Sequence, residues 1–244
     1  MKIQILSDIH TEFQVDRGAG FLARLAPGAL GVDVCVLAGD ITQLSVDGTD
    51  FIKKVCDLYP RVILVAGNHE YYGGSIQSGY DILTNLVVSN LDFLDDSCAT
   101  VCGHKFVGTS MWYKPSYDVK RRSRDWSDFL LIKDIGRCLE QLNYNAQEFL
   151  DKEVTSDSIV VTHFVPLHSV NHPQYIDSID NCFFVTDQYK LISDRAPKLW
   201  IHGHTHYANR TVLPNGTVVR CNAYGYEDEN DLVDGFSFEC YEEI

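Results

Sequence analysis

The chain is short of positive charge. Its 244 residues carry 20 Lys and Arg against 34 Asp and Glu, a formal net charge of −14. That balance argues against broad, non-specific binding to nucleic acid or anionic membranes, which needs a basic face. It leaves room for a phosphorylated substrate, because bound cations reverse a local field. Long apolar runs are also missing: no stretch approaches the ~20 residues of a membrane span. No signal-peptide pattern is visible, since Met1-Lys2 leads straight into Ile3-Gln4-Ile5-Leu6, and a cytoplasmic location is expected. The eight cysteines include no Cys-x-x-Cys pair. A thiolate zinc site or thioredoxin-like motif is therefore not expected, and buried free thiols in a reducing cytosol are. Internal repeats, low-complexity tracts and flexible linkers are absent as well, which favours one domain over residues 1–244.

What is present begins with an alternating rhythm. Strands are expected at Lys2 to Leu6, Val32 to Leu37 and Arg61 to Val65, with helices at Phe21 to Leu25, Asp50 to Leu58 and Ser75 to Val88. Continuous apolar strands in such a rhythm imply an α/β fold with a mostly parallel, buried sheet. Short strands follow at Phe93-Leu94, Ala99 to Cys102 and Lys105 to Thr109, then a partly helical excursion from Trp112 to Asp134. Helices are expected at Arg137 to Lys152 and Phe183 to Ile192, and strands at Ser158 to Val161 and Lys198 to Ile201. A hairpin turning at Pro214-Asn215-Gly216 spans Thr211 to Cys221.

Five short segments place nine metal-type side chains directly after apolar runs: Asp8-Ile9-His10, Gly39-Asp40, Gly67-Asn68-His69-Glu70, Thr162-His163 and Gly203-His204-Thr205-His206. An isolated Asp-x-His or Gly-Asp is unremarked chance in a chain this long. The ordered set, each member at a strand tip, is far rarer. Asp, Asn and His are borderline ligands that suit Mn2+, Zn2+, Fe and related ions, and no thiolate is placed to select zinc. A carboxylate such as Asp40 can bridge two cations, and a metal pair can clamp the oxygens of an in-line displacement at phosphorus. The glycines at 39, 67 and 203 are expected to let the backbone turn where each ligand is delivered.

This pattern resembles the calcineurin-like metallophosphoesterase superfamily, from Asp8 to His206, with no element missing. The resemblance implies a four-layer αββα sandwich of two mixed β-sheets flanked by helices. It implies two transition-metal ions per chain, Mn2+ in vitro with Fe, Zn2+ or Ni2+ as alternatives. Asp8, His10, Asp40 and His206 would bind the first and Asp40, Asn68, His163 and His204 the second, with a metal-bridging hydroxide as nucleophile. His69 resembles the motif histidine that is not a ligand and assists the leaving group; Glu70 is expected to be structural. A bacterial and phage branch of the superfamily is similar in Asn68-His69-Glu70-Tyr71-Tyr72-Gly73, Asp128-Phe129, Trp200-Ile201-His202-Gly203-His204-Thr205-His206 and Arg220-Cys221-Asn222-Ala223-Tyr224-Gly225-Tyr226. Ala223 departs from the proline more usual there.

A further absence narrows the class. Protein serine/threonine phosphatases of the superfamily carry Gly-Asp-x-x-Asp-Arg-Gly and an Arg before Gly-Asn-His-Glu, and those arginines grip a phosphomonoester. Here the pieces read Gly39-Asp40-Ile41-Thr42-Gln43-Leu44-Ser45 and Val65-Ala66-Gly67-Asn68. Both arginines are gone, and Gln43 replaces the aspartate that would orient the catalytic histidine. A phosphodiesterase-like or broad phosphoesterase acting on a small or medium ester, nucleotide-containing among the options, is therefore favoured over a protein phosphatase. A metal-dependent nuclease and a catalytically silent binding or scaffold module on the same fold remain the other readings.

Weaker signals carry two readings each. Arg121 and Arg124, within the basic cluster Lys120 to Arg124, either contact substrate phosphate or belong to a solvated loop. Trp112 and Tyr113, with Tyr71 and Tyr72, either wall the substrate site or pack in the core. Asp128 either orients a ligand histidine or caps a helix. His202 is expected to point away from its ligand neighbours as a hydrogen-bonded structural histidine, with a supporting place behind the metals as the alternative. His168 and His172 either line the cleft or carry no role.

Overall fold

The computed structural model describes residues 1–226 and 235–244. Its strands are β1 (Lys2–Leu6), β2 (Val34–Ala38), β3 (Val62–Val65), β4 (Leu91–Phe93), β5 (Ser97–Val101), β6 (His104–Thr109), β7 (Ile159–Thr162), β8 (Leu199–His202), β9 (Asn209–Val212), β10 (Val218–Cys221) and β11 (Tyr241–Glu243). The helices are α1 (Ala19–Leu25), α2 (Leu44–Asp47), α3 (Asp50–Cys56), α4 (Ile76–Thr84), α5 (Tyr117–Arg122), α6 (Ser127–Leu131), α7 (Ile135–Glu153) and α8 (Tyr189–Arg195). One sheet has the order β11-β1-β2-β3-β4 and the other β5-β6-β7-β8-β10-β9. Inner neighbours run parallel, whereas β11, β5 and β9 join antiparallel at the edges.

Alternation along the strands builds four layers. In β2, Val34, Val36 and Ala38 enter an apolar core with Ile159 and Val161 of β7 and Leu199 and Ile201 of β8. Cys35, Leu37, Val160 and Trp200 point the other way, into a second core with Phe21, Ile52, Leu139, Leu150 and Ile192 of the helices. Both faces of each strand are thus covered, which is why the strands read as unbroken apolar runs. Each such side chain contributes on the order of 1.5–3 kcal/mol through burial. The two mixed sheets, flanked by helices, form the expected αββα sandwich.

Helix α7 confirms its period of apolar residues, burying Ile135, Leu139, Ala146 and Leu150. Helix α4 begins where Ser75 accepts a hydrogen bond from the Ser78 amide and closes a capping box. It stops at Thr84, four residues before the expected end. The expected helix from Phe183 to Ile192 is not continuous. A 3-10 turn covers Ile179–Phe183, and α8 starts only at Tyr189. Between them Val185 bridges Val165, with the Thr186 amide donating to the Val165 carbonyl at 3.0 Å, so pairing with a neighbouring segment overrides helical pattern. Strand β11 was also not expected; it pairs Tyr241 with Gln4 across nearly the whole chain. All eight cysteines are unpaired, with Cys35, Cys56, Cys221 and Cys240 buried. No described helix is long and apolar enough to cross a membrane.

Candidate metal centre

Parallel strands deliver their carboxyl ends to one edge of the sandwich, and β1, β2, β3, β7 and β8 are followed there by the five segments. Cross-sheet hydrogen bonds lock the two sheets together at this edge. His163 Nδ1 donates to the Ala38 carbonyl at 2.9 Å, Ser110 Oγ to Ala66 at 2.6 Å, and the His204 amide to Asp8 Oδ1 at 2.9 Å. Five of the seven expected ligands hold positive φ: Asp8 (53°), His10 (50°), Asp40 (55°), His204 (70°) and His206 (46°). Asp and His visit this left-handed region more readily than most residues, and it turns each side chain back over the strand tip. Non-glycine residues in it store strain, a frequent property of functional sites. Gly39 shares it, at φ 83°. Gly67 and Gly203 serve differently from the expected turns. A Cβ on Gly67 would collide with Asp40 and His163, and one on Gly203 with Asp8, so their value is close approach.

The side chains form three overlapping clusters of potential donors: Asp8, His10 and His206; His10, Asp40 and His69; and Asp40, His163 and His204. Asp40 belongs to two of them. Its Oδ2 lies 3.4 Å from His163 Nε2 and 3.9 Å from His10 Nε2, while Oδ1 accepts the His69 amide at 2.8 Å. The ring nitrogens carry the chemical argument. His10 Nε2 faces His206 Nε2 at 3.0 Å, and His163 Nε2 faces His204 Nδ1 at 3.1 Å. The outer nitrogens of three of these rings are committed elsewhere: His10 Nδ1 to Glu12 (3.2 Å), His163 Nδ1 to the Ala38 carbonyl, and His204 Nε2 to the Phe183 carbonyl (3.3 Å). Those outer bonds select tautomers with bare nitrogens inward, the arrangement a metal ligand needs. Paired inward lone pairs repel without a cation between them, so these residues fit metal ions.

Electrostatics agrees in sign for His10 and His204 and opposes it for His163 while no cation is present. Burial, then the neighbouring His69, lowers the His10 pKa, and burial, then His163, lowers that of His204. Neutral imidazoles are the ligating form. Burial opposes protonation of His163 too, but the Asp40 carboxylate outweighs it and pushes the ring up to about 9. For His69, Asp40 and Glu12 likewise overcome burial and raise the pKa.

Asn68 is aimed by its surroundings. Its Nδ2 donates to Asp128 Oδ1 at 3.0 Å and to Tyr72 Oη at 2.8 Å, which leaves Oδ1 facing His163 Nε2 at 3.1 Å. Asp128 also accepts from Tyr72 at 2.7 Å and from Tyr113 at 2.9 Å. It therefore orients a ligand-type asparagine, not a histidine, and it lies inside α6 instead of capping it. Glu70 is structural as expected. Its carboxylate accepts the amides of Gly67 (2.6 Å), Ile41 (2.7 Å), Asp40 (2.9 Å) and Thr42 (3.2 Å), tying the second segment to the third. Burial, then the Asp40 charge, pushes it up to about 7 against those amides.

Above the clusters opens a cavity of about 890 Å³. Asp40, Asn68, His69, His204 and His206 form its floor, and Phe13, Tyr72, Trp126, Tyr175, Phe184 and Tyr226 contribute aromatic walls. No Lys or Arg stands among the described residues that line it. Trp112 and Tyr113 do not line it: they are 3% and 0% exposed and pack on Phe164. Arg121 and Arg124 are exposed and are not among the residues that line it, Arg121 lying 3.9 Å from Asp118. Of the expected aromatic candidates Tyr72 does line it, and Trp126, two residues beyond Arg124, joins it there. His172 lines the cavity and His168 does not. His202 is fully buried, its Nδ1 at 3.0 Å from the Gly203 carbonyl, and burial lowers it to about 4. It belongs to none of the three donor clusters.

One residue without a sequence signal enters the site. Glu12 Oε1 lies 2.8 Å from His69 Nδ1 and 3.2 Å from His10 Nδ1, and Oε2 accepts the Gln43 amide at 3.2 Å. Its place two residues after His10, on the turn that carries a ligand, was the available hint.

A sandwich of two mixed sheets with His and Asp clusters at their shared carboxyl edge is the architecture of metal-dependent phosphoesterases. The model of the calcineurin-like phosphoesterase family matches residues 1–208, and the chain belongs to that family. A phosphopantetheinyl hydrolase from Mycobacterium tuberculosis is similar in structure, with a TM-score of 0.69 and 16% identity, over 97% of this chain and 94% of that one. A dimetal phosphatase from Danio rerio gives a TM-score of 0.51 and 16% identity over 91% and 86%. At these identities the likeness is one of fold. An uncharacterized protein of Acanthamoeba polyphaga mimivirus is 26% identical across 77% of this chain and 76% of its own length. Family and clusters together point to a dinuclear metal site.

Proposed function

We propose that the chain is a dinuclear metal-dependent phosphodiesterase, with His69 at the leaving oxygen. The observation that carries this reading is the place of His69. It stands on the cavity floor with Nε2 at 4.0 Å from Asp40 Oδ2, beside both ligand clusters but outside the two pairs of facing nitrogens. Asp8, His10, Asp40 and His206 would hold one cation, and Asp40, Asn68, His163 and His204 the other. Mn2+ is the ion we take for assays in vitro, with Fe, Zn2+ and Ni2+ also suited to this nitrogen and oxygen donor set. Two such cations supply Lewis-acid charge to the phosphoryl oxygens and to a water nucleophile.

The residues of the chain divide the remaining work. Asp128 and Tyr72 fix the Asn68 amide, and Glu70 fixes the loop that bears Asp40. His69 Nε2 faces the metal-binding edge, from where it can give a proton to a departing alkoxide. The cavity wall favours a diester over a monoester. A monoester dianion calls for the arginine grip that protein phosphatases of the family carry, and no Lys or Arg lines this cavity among the described residues. A singly charged diester needs less, and its second ester group finds aromatic walls on which a flat ring or base can lie. The unpaired cysteines fit a reducing compartment, which we take to be the cytosol.

The test is a comparison with Mn2+ present. Turnover of bis(p-nitrophenyl) phosphate is expected to exceed that of p-nitrophenyl phosphate by about tenfold or more in kcat/KM. Trp126→Ala is expected to raise KM for the aromatic diester several-fold and to leave methyl p-nitrophenyl phosphate little changed. A preference for the monoester would overturn the diester reading, and no turnover of any ester with any divalent ion would overturn the enzyme.

A further inference from the structure

We infer that Glu12 is the carboxylate that positions His69 for proton transfer, in place of the motif aspartate that this chain lacks. The inference rests on the reading of His69 given above. At the motif position stands Gln43, and its side chain is turned away: Nε2 donates to Ser45 Oγ at 2.9 Å and to the Tyr72 carbonyl at 3.1 Å. Only the Gln43 backbone takes part, its amide holding Glu12 Oε2 at 3.2 Å. The vacated role is filled from a different strand tip. Glu12 sits on a 3-10 turn, Thr11–Phe13, entered through the left-handed backbone of His10. Its side chain is 2% exposed, and Oε1 reaches His69 Nδ1 at 2.8 Å.

A buried carboxylate at that distance does two things. It accepts a hydrogen bond from the Nδ1–H group, which leaves Nε2 as the nitrogen turned toward Asp40 and the cavity floor. It fixes the ring plane, together with Tyr72 at 4.2 Å and His10 at 4.3 Å between ring centroids. In the step itself the P–O bond breaks with its electron pair going to the leaving oxygen, the Nε2 proton moves to that oxygen, and His69 is left neutral with its Nδ1 proton. Glu12 takes no part in the bond changes and is a positioning residue.

Glu12 also touches His10 Nδ1 at 3.2 Å, so a role only in metal binding is the competing account. Leaving-group dependence separates them, because p-nitrophenolate departs without a proton and a less acidic alcohol does not. In Mn2+-loaded Glu12→Ala, turnover of methyl phenyl phosphate is expected to fall about 100-fold and that of methyl p-nitrophenyl phosphate only a few-fold. Glu12→Gln, which keeps an acceptor without the charge, is expected to recover part of the loss. Metal content, read by elemental analysis, should stay that of the parent. In metal-free protein, long-range 1H–15N NMR should show His69 as the Nδ1–H tautomer in the parent and as a mixture in Glu12→Ala. Equal losses on both esters, a lost metal, or an unchanged tautomer would overturn the inference. His69→Ala serves as the control: if it lacks the steep leaving-group dependence, the reading of His69 itself fails, independently of Glu12.

Discussion

Oε1 of Glu12 stands within 3.2 Å of two different histidine rings, His10 and His69. Both belong to the donor cluster of His10, Asp40 and His69, and a single carboxylate touches the proposed ligand His10 and the candidate acid His69 alike. Their centroids lie 4.3 Å apart at an interplanar angle of 71°. Side chains in one network couple energetically, and substitutions at Glu12, His10 and His69 will not add.

Asp128 offers a test of how ligands are aimed. It accepts from Asn68, Tyr72 and Tyr113 and is 1% exposed. Asp128→Ala removes all three hydrogen bonds, loosens the hold on the Asn68 amide and leaves the Tyr72 and Tyr113 hydroxyls without the acceptor they donate to. Mn2+ affinity is expected to fall about 10- to 100-fold at one of two sites, measured by titration calorimetry. Stability should drop by about 1–3 kcal/mol in urea unfolding. Undiminished affinity would show that Asn68 needs no such support.

The facing ring nitrogens predict stabilisation by metal. Chelator-treated protein given Mn2+ at about 100 times the Kd of a site should gain roughly 2.7 kcal/mol for that site, seen as a rise in Tm. His163→Ala removes one of the two nitrogens in the pair with His204, 3.1 Å apart, and should blunt the rise. An equal rise in both proteins would place the metal elsewhere.

The link between the two sheets predicts a pH effect far from the ligands. Burial, then the Asp96 charge, pushes the Asp95 carboxyl up to about 6. The folded-state value lies above the unfolded one of about 3.9. Folded protein therefore keeps this proton where unfolded chain has lost it, and the stability so gained falls away as pH rises from about 4 through 6. Asp95→Asn should stabilise the protein at pH 8 by on the order of 1–2 kcal/mol after allowance for solvent screening, and by little at pH 4. Chemical denaturation at the two pH values measures this; a gain independent of pH would remove the titration from the explanation.

Legibility in the sequence followed the range of the interactions. The donors Asp8, His10, Asp40, Asn68, His163, His204 and His206 stood out because each lies within a few residues of a strand end, and strand ends are marked by local apolar pattern. Trp112 and Tyr113 looked equally well placed, yet their rings pack on Phe164 inside the core. Trp126, in a stretch of weak periodicity, reaches the cavity. Direction of a side chain in an irregular segment depends on what packs beneath it, and no periodicity encodes that. Strand β11 was missed for a similar reason, since three residues pairing with β1 from the far end of the chain carry little pattern of their own.

The sequence by itself determined the alternation of strands and helices, the parallel sheet and the residues delivered to its edge, because apolar periodicity and positive-φ-tolerant Asp, His and Gly are local properties. It also determined what the centre lacks: the motif arginines and the aspartate replaced by Gln43. Only the tertiary structure decided what fills that gap. Glu12 and His69 are 57 positions apart in the chain and follow different strands, β1 and β3. They meet because β2 lies between those strands in the sheet and the turns after β1 and β3 fold over its end.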